Sequence, residues 1–336
     1  MTHKHIISER SWYSNIAINN GPCGRYGHKC VVFNDEMFLF GGYNGMRLND
    51  TYALNFNTLK WRGIKSNTPS IRDCHSAVLY EHYMIIFGGS DGTTWYNTLY
   101  ALDLHTEKWT KLEALGDIPT PRGGHTATVL DNKMYIFGGW NGTKALNCLY
   151  FYDFDTKYWS KITPQSSLPE ARDSHTANLI ADKLIIIGGG NGKQRFNEVV
   201  EYDISHNLWQ KPQCIGQASI GRAGHITITS GHKLYVFSGG NGTGWSDEVC
   251  EYDTTCNKWS LLSYISDQDK DIAPASYGMS GVLFNSSIYI FGGGTGKLWN
   301  DKVYRLKVGT SKNVQDTKSK LLKSINNGLL SDIIIE

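Results

Sequence analysis

A histidine returns along this chain at a nearly fixed interval. His28, His75, His125, His175 and His225 are separated by 47, 50, 50 and 50 residues, and Met279 stands 54 residues further on. Thirteen residues after each comes a pair of small residues: Gly41-Gly42, Gly88-Gly89, Gly138-Gly139, Gly188-Gly189, Ser238-Gly239 and Gly292-Gly293. A tryptophan follows the pair twenty or twenty-one residues later, as Trp61, Trp109, Trp159, Trp209 and Trp259. A period near 50 residues marks a supersecondary unit that cannot bury its own faces and needs copies of itself beside it. Six such units account for most of the 336 residues as one domain.

One unit shows the local grammar. After Pro121-Arg122-Gly123-Gly124-His125 come Thr126-Ala127-Thr128-Val129-Leu130, a polar corner at Asp131-Asn132-Lys133, and Met134-Tyr135-Ile136-Phe137 before the glycine pair. Two apolar runs joined by a short polar corner read as a hairpin. The second run is almost wholly apolar in every copy, from Met37-Phe38-Leu39-Phe40 to Ile288-Tyr289-Ile290-Phe291. Strands buried on both faces read this way.

The double glycine after an apolar strand, the tyrosine on the next strand (Tyr52, Tyr100, Tyr150, Tyr304) and the tryptophan on the last resemble the kelch repeat family. The resemblance runs from about Ser8 to Val308. It implies an all-β, six-bladed β-propeller over residues 1–308, each blade four antiparallel strands, with the tryptophans on the outermost strands wedged between diverging blades. The sixth repeat has no closing tryptophan, since position 313 is Asn, but an orphan, Trp12, precedes the first repeat. A ring that borrows its last strand from the other end of the chain leaves no free edge, so Trp12 is expected to complete the blade of Met279 to Val308.

Composition excludes several classes. A net charge of +2 gives no drive toward nucleic acid or a membrane surface. Seven scattered cysteines without a Cys-x-x-Cys pair argue for reduced thiols in a cytoplasmic protein, against a disulfide framework or zinc site. The polar N-terminus lacks a signal-peptide core, and no apolar run approaches the ~20 residues of a membrane helix. The Asn-x-Ser/Thr sequences at Asn49, Asn141, Asn241 and Asn285 fall at turns, where Asn serves the backbone.

Three sets of residues carry candidate chemistry. Arg25, Arg72, Arg122, Arg172 and Arg222 stand three positions before the histidines, with Ser276 in the sixth place. Preceding the innermost strands, they are expected to ring one mouth of the central channel as a receptor for carboxylate or phosphate. The alternative is that each ties loop carbonyls or acids such as Asp50, Asp73, Asp173 or Glu198 between blades. The histidines lie on different blades, so they fit packing against the double glycine better than a metal centre. In kelch folds the loops after the double glycine project from one end of the barrel. The residues after the pair include Tyr43, Ser90 and Trp140, and seven positions after its first member stand Trp95, Arg195, Trp245 and Trp299. Loop tryptophans and arginines on a rigid ring are of the types that dominate binding surfaces. For Trp95, Trp245 and Trp299 the alternative is packing on the next blade.

The ligands of copper- or iron-dependent kelch enzymes are not recognisable, nor is a nucleophile–base pair, so neither catalysis nor a cofactor or metal is expected. The expected role is a protein–protein interaction module, itself monomeric, that takes an acidic or carboxylate-ended peptide on its Arg- and Trp-bearing face. After Val308 a polar linker leads to Asn326-Asn-Gly-Leu-Leu-Ser-Asp-Ile-Ile-Ile-Glu336. This resembles the opening of a BTB/POZ domain, which implies an adaptor for a cullin-type ubiquitin ligase; a plain tail is the alternative. A scaffold in cytoskeletal or trafficking complexes is the second functional reading.

Overall fold

The computed structural model describes residues 12–13, 21–216, 220–262 and 273–308. Six antiparallel sheets follow one another around a central axis, as the repeat predicts. Blade 3 is typical: Thr126–Leu130 is innermost, followed outward by Lys133–Phe137, Leu149–Asp153 and Tyr158–Ile162. The innermost strands of the other blades are Lys29–Phe33, Ser76–Tyr80, Thr176–Ile180, Ile226–Ser230 and Ser280–Phe284, for blades 1, 2, 4, 5 and 6. Blade 6 is closed from the opposite end of the chain. Trp12–Tyr13 pairs antiparallel with Val303–Lys307, Trp12 opposite Leu306 and Tyr13 opposite Arg305. The linker and tail at 309–336 lie outside the described residues.

Two short strands went unread in the sequence. Leu115–Gly116 and Ile215–Gly216 run parallel to the outer strands of blades 3 and 5. Each covers an outer edge that would otherwise present unpaired backbone.

The blades adhere through the repeated aromatic residues. Each closing tryptophan packs on the second strand of the preceding blade: Trp109 on Phe40 (4.8 Å between ring centroids), Trp159 on Phe87 (4.9 Å) and Trp209 on Phe137 (4.8 Å). Across the closure, Trp61 meets Phe291 at 5.3 Å and Trp12 meets Phe237 at 5.9 Å. Trp12 is buried in the same cluster as Ile288, Ile290 and Leu306. Aromatic pairs at such separations add to the area they bury. The wedge reading of the six tryptophans therefore holds.

A second device surrounds the axis near the loop face. The residue preceding each His, or Met279, donates its N–H to the carbonyl of its counterpart in the neighbouring blade. The links run Gly27 to Gly278 (2.7 Å), Gly278 to Gly224 (2.8 Å), Gly224 to Ser174 (2.8 Å), Ser174 to Gly124 (2.7 Å), Gly124 to Cys74 (2.8 Å) and Cys74 to Gly27 (2.8 Å). This is a closed annulus of backbone hydrogen bonds. All its members lie at positive φ, from 51° at Ser174 to 69° at Gly27, which explains why glycine holds four of the six places.

Candidate functional site

The arginine series sits elsewhere than the receptor reading placed it. Arg25, Arg72, Arg122, Arg172 and Arg222 are among the most deeply buried side chains of the protein. Each Nη1 donates to the carbonyl oxygen of the first residue of its own blade's small pair: Gly41 (3.0 Å), Gly88 (2.9 Å), Gly138 (3.0 Å), Gly188 (3.0 Å) and Ser238 (3.0 Å). Each Nε donates to the carbonyl two residues upstream, as Arg122 does to Thr120 at 3.0 Å. The arginine's own carbonyl accepts the N–H of the second glycine of the preceding blade, so Gly139 donates to Arg172 at 2.9 Å. Two of the acids named from sequence take part, Asp50 with Arg25 (2.9 Å from Nη2) and Glu198 with Arg172; Glu248 joins Arg222 at 3.2 Å. These guanidiniums cannot reach a partner. They are struts of the ring, and the receptor assignment is corrected accordingly.

The histidines are struts as well. A Cβ added to Gly138 would stand 2.8 Å from His175 Cε1, and the His175 ring lies 5.3 Å from Phe137. Each histidine thus packs on the glycine pair and apolar strand of the preceding blade. Burial drives their pKa values down, to about 3 for His225. Among the described residues no three His, Cys, Asp or Glu side chains are grouped to hold a metal.

The loops after the glycine pairs do share one face, and their sequences stiffen them. Asp91, Asn141, Asn191 and Asn241 each accept backbone N–H bonds two and three residues on, as Asn241 Oδ1 does from Thr243 (2.9 Å) and Gly244 (2.8 Å). These Asx turns fix the loops without tertiary help.

Across each loop the residue after the pair faces the one five positions on, and their sizes compensate. Trp140 faces Ala145, whereas Gly190, Gly240 and Gly294 face Arg195, Trp245 and Trp299. The large side chain lies over the small residue: a Cβ on Gly240 would meet Trp245 Cζ3 at 2.6 Å, and one on Gly190 would meet Arg195 Nη1 at 2.3 Å. In blade 2 Ser90 faces Trp95, and in blade 1 the loop is one residue shorter, so that Tyr43 faces Arg47.

This alternation divides the face. The sector of blades 6, 1 and 2 is filled, with Tyr26 packed between Tyr43 (5.3 Å) and Tyr277 (4.6 Å) and Trp299 against Tyr43 (6.0 Å). Arg47 lies over Tyr43 at 4.8 Å, with Nε 3.6 Å from the buried Asp73. Trp95 leans on the blade 3 loop at Gly142, where a Cβ would meet it at 3.0 Å. In this sector Trp95 and Trp299 pack on the next blade, and Ser90 and Tyr43 face Trp95 and Arg47 across their own loops.

The sector of blades 3 to 5 is open. Its cavity of about 740 Å³ is bounded by Trp140, by Trp245 stacked on Tyr277 at 4.8 Å, and by Asp173, Ser174 and Arg195, with glycines 192, 240, 242 and 244 between them. Arg195 is exposed, and among the described residues no hydrogen bond or ion pair holds its guanidinium. Desolvation raises the pKa of Asp173, and the nearby Arg195 charge opposes that rise. Trp245 is 40 % exposed, and Leu298 and Met46, at the tips of the adjoining loops, are 74 % and 69 % exposed. Asp173 and Tyr277 were missed as site residues. Only their place inside the Arg-x-x-His motif, or its Ser276-to-Met279 counterpart in blade 6, could have shown that they look into the same cavity as the loops.

With this architecture in view, the comparisons are clear. Residues 2–189 and 99–293 match the KLHDC2/KLHL20/DRC7 Kelch-repeats domain. The chain belongs to the kelch-repeat proteins. Kelch domain-containing protein 10 of Xenopus tropicalis is 33% identical over 132 residues, which is 35% of this chain and 31% of that protein. The leucine-zipper-like transcriptional regulator 1 homolog of Drosophila melanogaster is 32% identical over 124 residues, 34% of this chain and 13% of the relative. The Rho GTPase-activating protein gacHH of Dictyostelium discoideum is 36% identical over 110 residues, 30% of this chain and 7% of the relative. The chain thus matches less than a third of the length of each of these kelch relatives.

Proposed function

We propose that this kelch propeller is a non-catalytic recognition module that binds a peptide segment of a protein partner in the open sector of its loop face. The observation that carries the reading is the exposed Arg195, free of any ion pair among the described residues, beside a cavity walled by Trp140 and Trp245. Arg195 supplies a planar double donor for a carboxylate, from an acidic side chain or a chain end. The indoles supply apolar area for the neighbouring residues of the peptide, and the glycines let its backbone come close. The acidic-partner reading thus passes from the buried arginines to Arg195.

The test is selection of a random peptide library, displayed with free C-terminal carboxylates, on the full-length protein. Enriched sequences should share an acidic or terminal carboxylate beside an apolar residue, and Arg195→Glu or Trp245→Ala should abolish their capture without moving the melting temperature. Capture that survives both substitutions would place the binding surface elsewhere.

The finer role divides two ways. A cullin-type ligase adaptor in the cytoplasm rests on the BTB-like pattern of residues 326–336, whereas a cytoskeletal or trafficking scaffold needs only the propeller. Affinity purification of the full protein separates them: recovery of a cullin with both wild type and Arg195→Glu supports the adaptor, and its absence supports the scaffold.

A further inference from the structure

The central channel contains a charge that the loop-face site does not use. The residue after each histidine or Met279 opens the innermost strand, and the channel is lined there by Lys29, Ser76, Thr126, Thr176, Ile226 and Ser280. They surround a cavity of about 190 Å³. A smaller cavity of about 60 Å³ lies under the backbone annulus, and Lys29 lines both. Neither is lined by any Asp or Glu. Among the described residues the Lys29 ammonium has no carboxylate partner.

Lys29 lies close to the axis, since it lines the smaller cavity together with residues of all six blades, and its charge helps to lower the pKa values of His28, His75, His125, His175 and His225. Desolvation lowers the proton affinity of Lys29 itself. The nearby thiols supply no countercharge, because burial pushes Cys30 and Cys74 up to about 12. The remaining polar neighbours are hydroxyls. Ser76 Oγ lies 2.9 Å from His125 Nε2, Thr126 Oγ1 3.0 Å from His175 Nε2, and Thr176 Oγ1 3.1 Å from His225 Nε2. A histidine donating from Nε2 leaves the Ser76 and Thr126 protons free to point into the channel, while Thr176 Oγ1 shares a further bond with Thr227 Oγ1 at 2.7 Å.

We propose that the channel is a binding site for a small inorganic anion, held by the Lys29 ammonium and the ring of Ser and Thr hydroxyls. A half-buried cation without a carboxylate partner carries part of its desolvation cost, which a bound anion offsets. The volume suits a halide or one tetrahedral oxyanion and excludes a peptide. The site is separate from Arg195, and its occupant braces the axis beneath the annulus.

Bromide is the probe. The melting temperature of the full-length protein is followed as bromide replaces gluconate at constant ionic strength, and crystals grown in bromide are examined by anomalous scattering. A saturable rise of roughly 2 °C or more is expected for wild type and for Lys29→Arg, but not for Lys29→Met. An anomalous peak should stand beside Lys29 and vanish in Lys29→Met. Overlapping titrations for wild type and Lys29→Met, or a channel without an anomalous peak, would overturn the proposal.

Discussion

The hydroxyl of Ser238 accepts a hydrogen bond from the backbone N–H of Ser276 at 2.6 Å and also bonds its carbonyl oxygen. Ser238 replaces the first glycine of the pair in blade 5, and Ser276 replaces the arginine in blade 6. The two departures from the repeat meet in one buried contact, made through the main chain of Ser276. Ser238 also holds a positive φ of 59°. Chemical denaturation should show Ser238→Ala less stable than wild type by about 1–3 kcal/mol, from the buried groups left unpaired. Ser238→Gly should lose less, because glycine relieves the backbone strain while giving up the same bonds.

Arg122 is enclosed and has no carboxylate partner among the described residues. Its charge is met by the carbonyls of Gly138 and Thr120, the Thr120 hydroxyl at 3.1 Å, the Cys148 sulfur at 3.3 Å and the Tyr150 ring at 5.5 Å. Arg122→Met should destabilise by about 3 kcal/mol or more, since it orphans the Gly138 carbonyl and unties the loop. Arg195→Met should leave the unfolding midpoint within about 0.5 kcal/mol of wild type, as an exposed substitution without a partner does. Equal stability of the two variants would restore the receptor reading of Arg122.

Trp12 closes the ring against Phe237 and Leu306. Trp12→Ala should cost about 3–5 kcal/mol. Deleting residues 1–16 should unfold the whole propeller in one cooperative transition. A two-step melt with only blade 6 lost would show that closure is local.

The buried histidines set the acid limit. Each is neutral when folded, with its pKa depressed below the ordinary 6.5, and that of His225 falls to about 3. The unfolded chain takes up protons below pH ~6.5 that the folded chain refuses, so this stability is present above that pH and is lost as the pH falls toward 3. Each neutral histidine adds a slope of about 1.4 kcal/mol per pH unit in that window. His225→Gln should lower stability at pH 7 yet flatten the acid slope by one such increment. An unchanged slope would mean that His225 titrates normally in the fold.

The period, the glycine pairs and the tryptophans made the ring and its closure by Trp12 legible, because these residues act locally and identically in every blade. The role of the arginines was not legible. Repetition at Arg25 through Arg222 says that the side chain is needed, but only the burial beneath Gly41, Gly88 and their counterparts shows that the need is structural. The open sector emerges from differences among the repeats. Trp140 with Ala145, and Gly190 with Arg195, are size exchanges across a backbone bridge whose partners lie five residues apart in sequence. Asp173 joins them through its own backbone bridge to Gly190, from a distant point in the sequence of the same blade. Leu115 and Ile215 carry no alternating pattern in their short parallel pairings, so nothing in the sequence marked them as strands.

The most direct measurement of the recognition account is a calorimetric titration of one selected peptide, with its carboxylate free or amidated, into wild type and Arg195→Gln. If Arg195 pairs with that carboxylate, amidation should weaken binding to wild type about tenfold or more, the scale of a charged hydrogen bond, and leave binding to Arg195→Gln unchanged. The same loss on amidation in both proteins would show that the carboxylate is read by another group and that the open sector is not the recognition site.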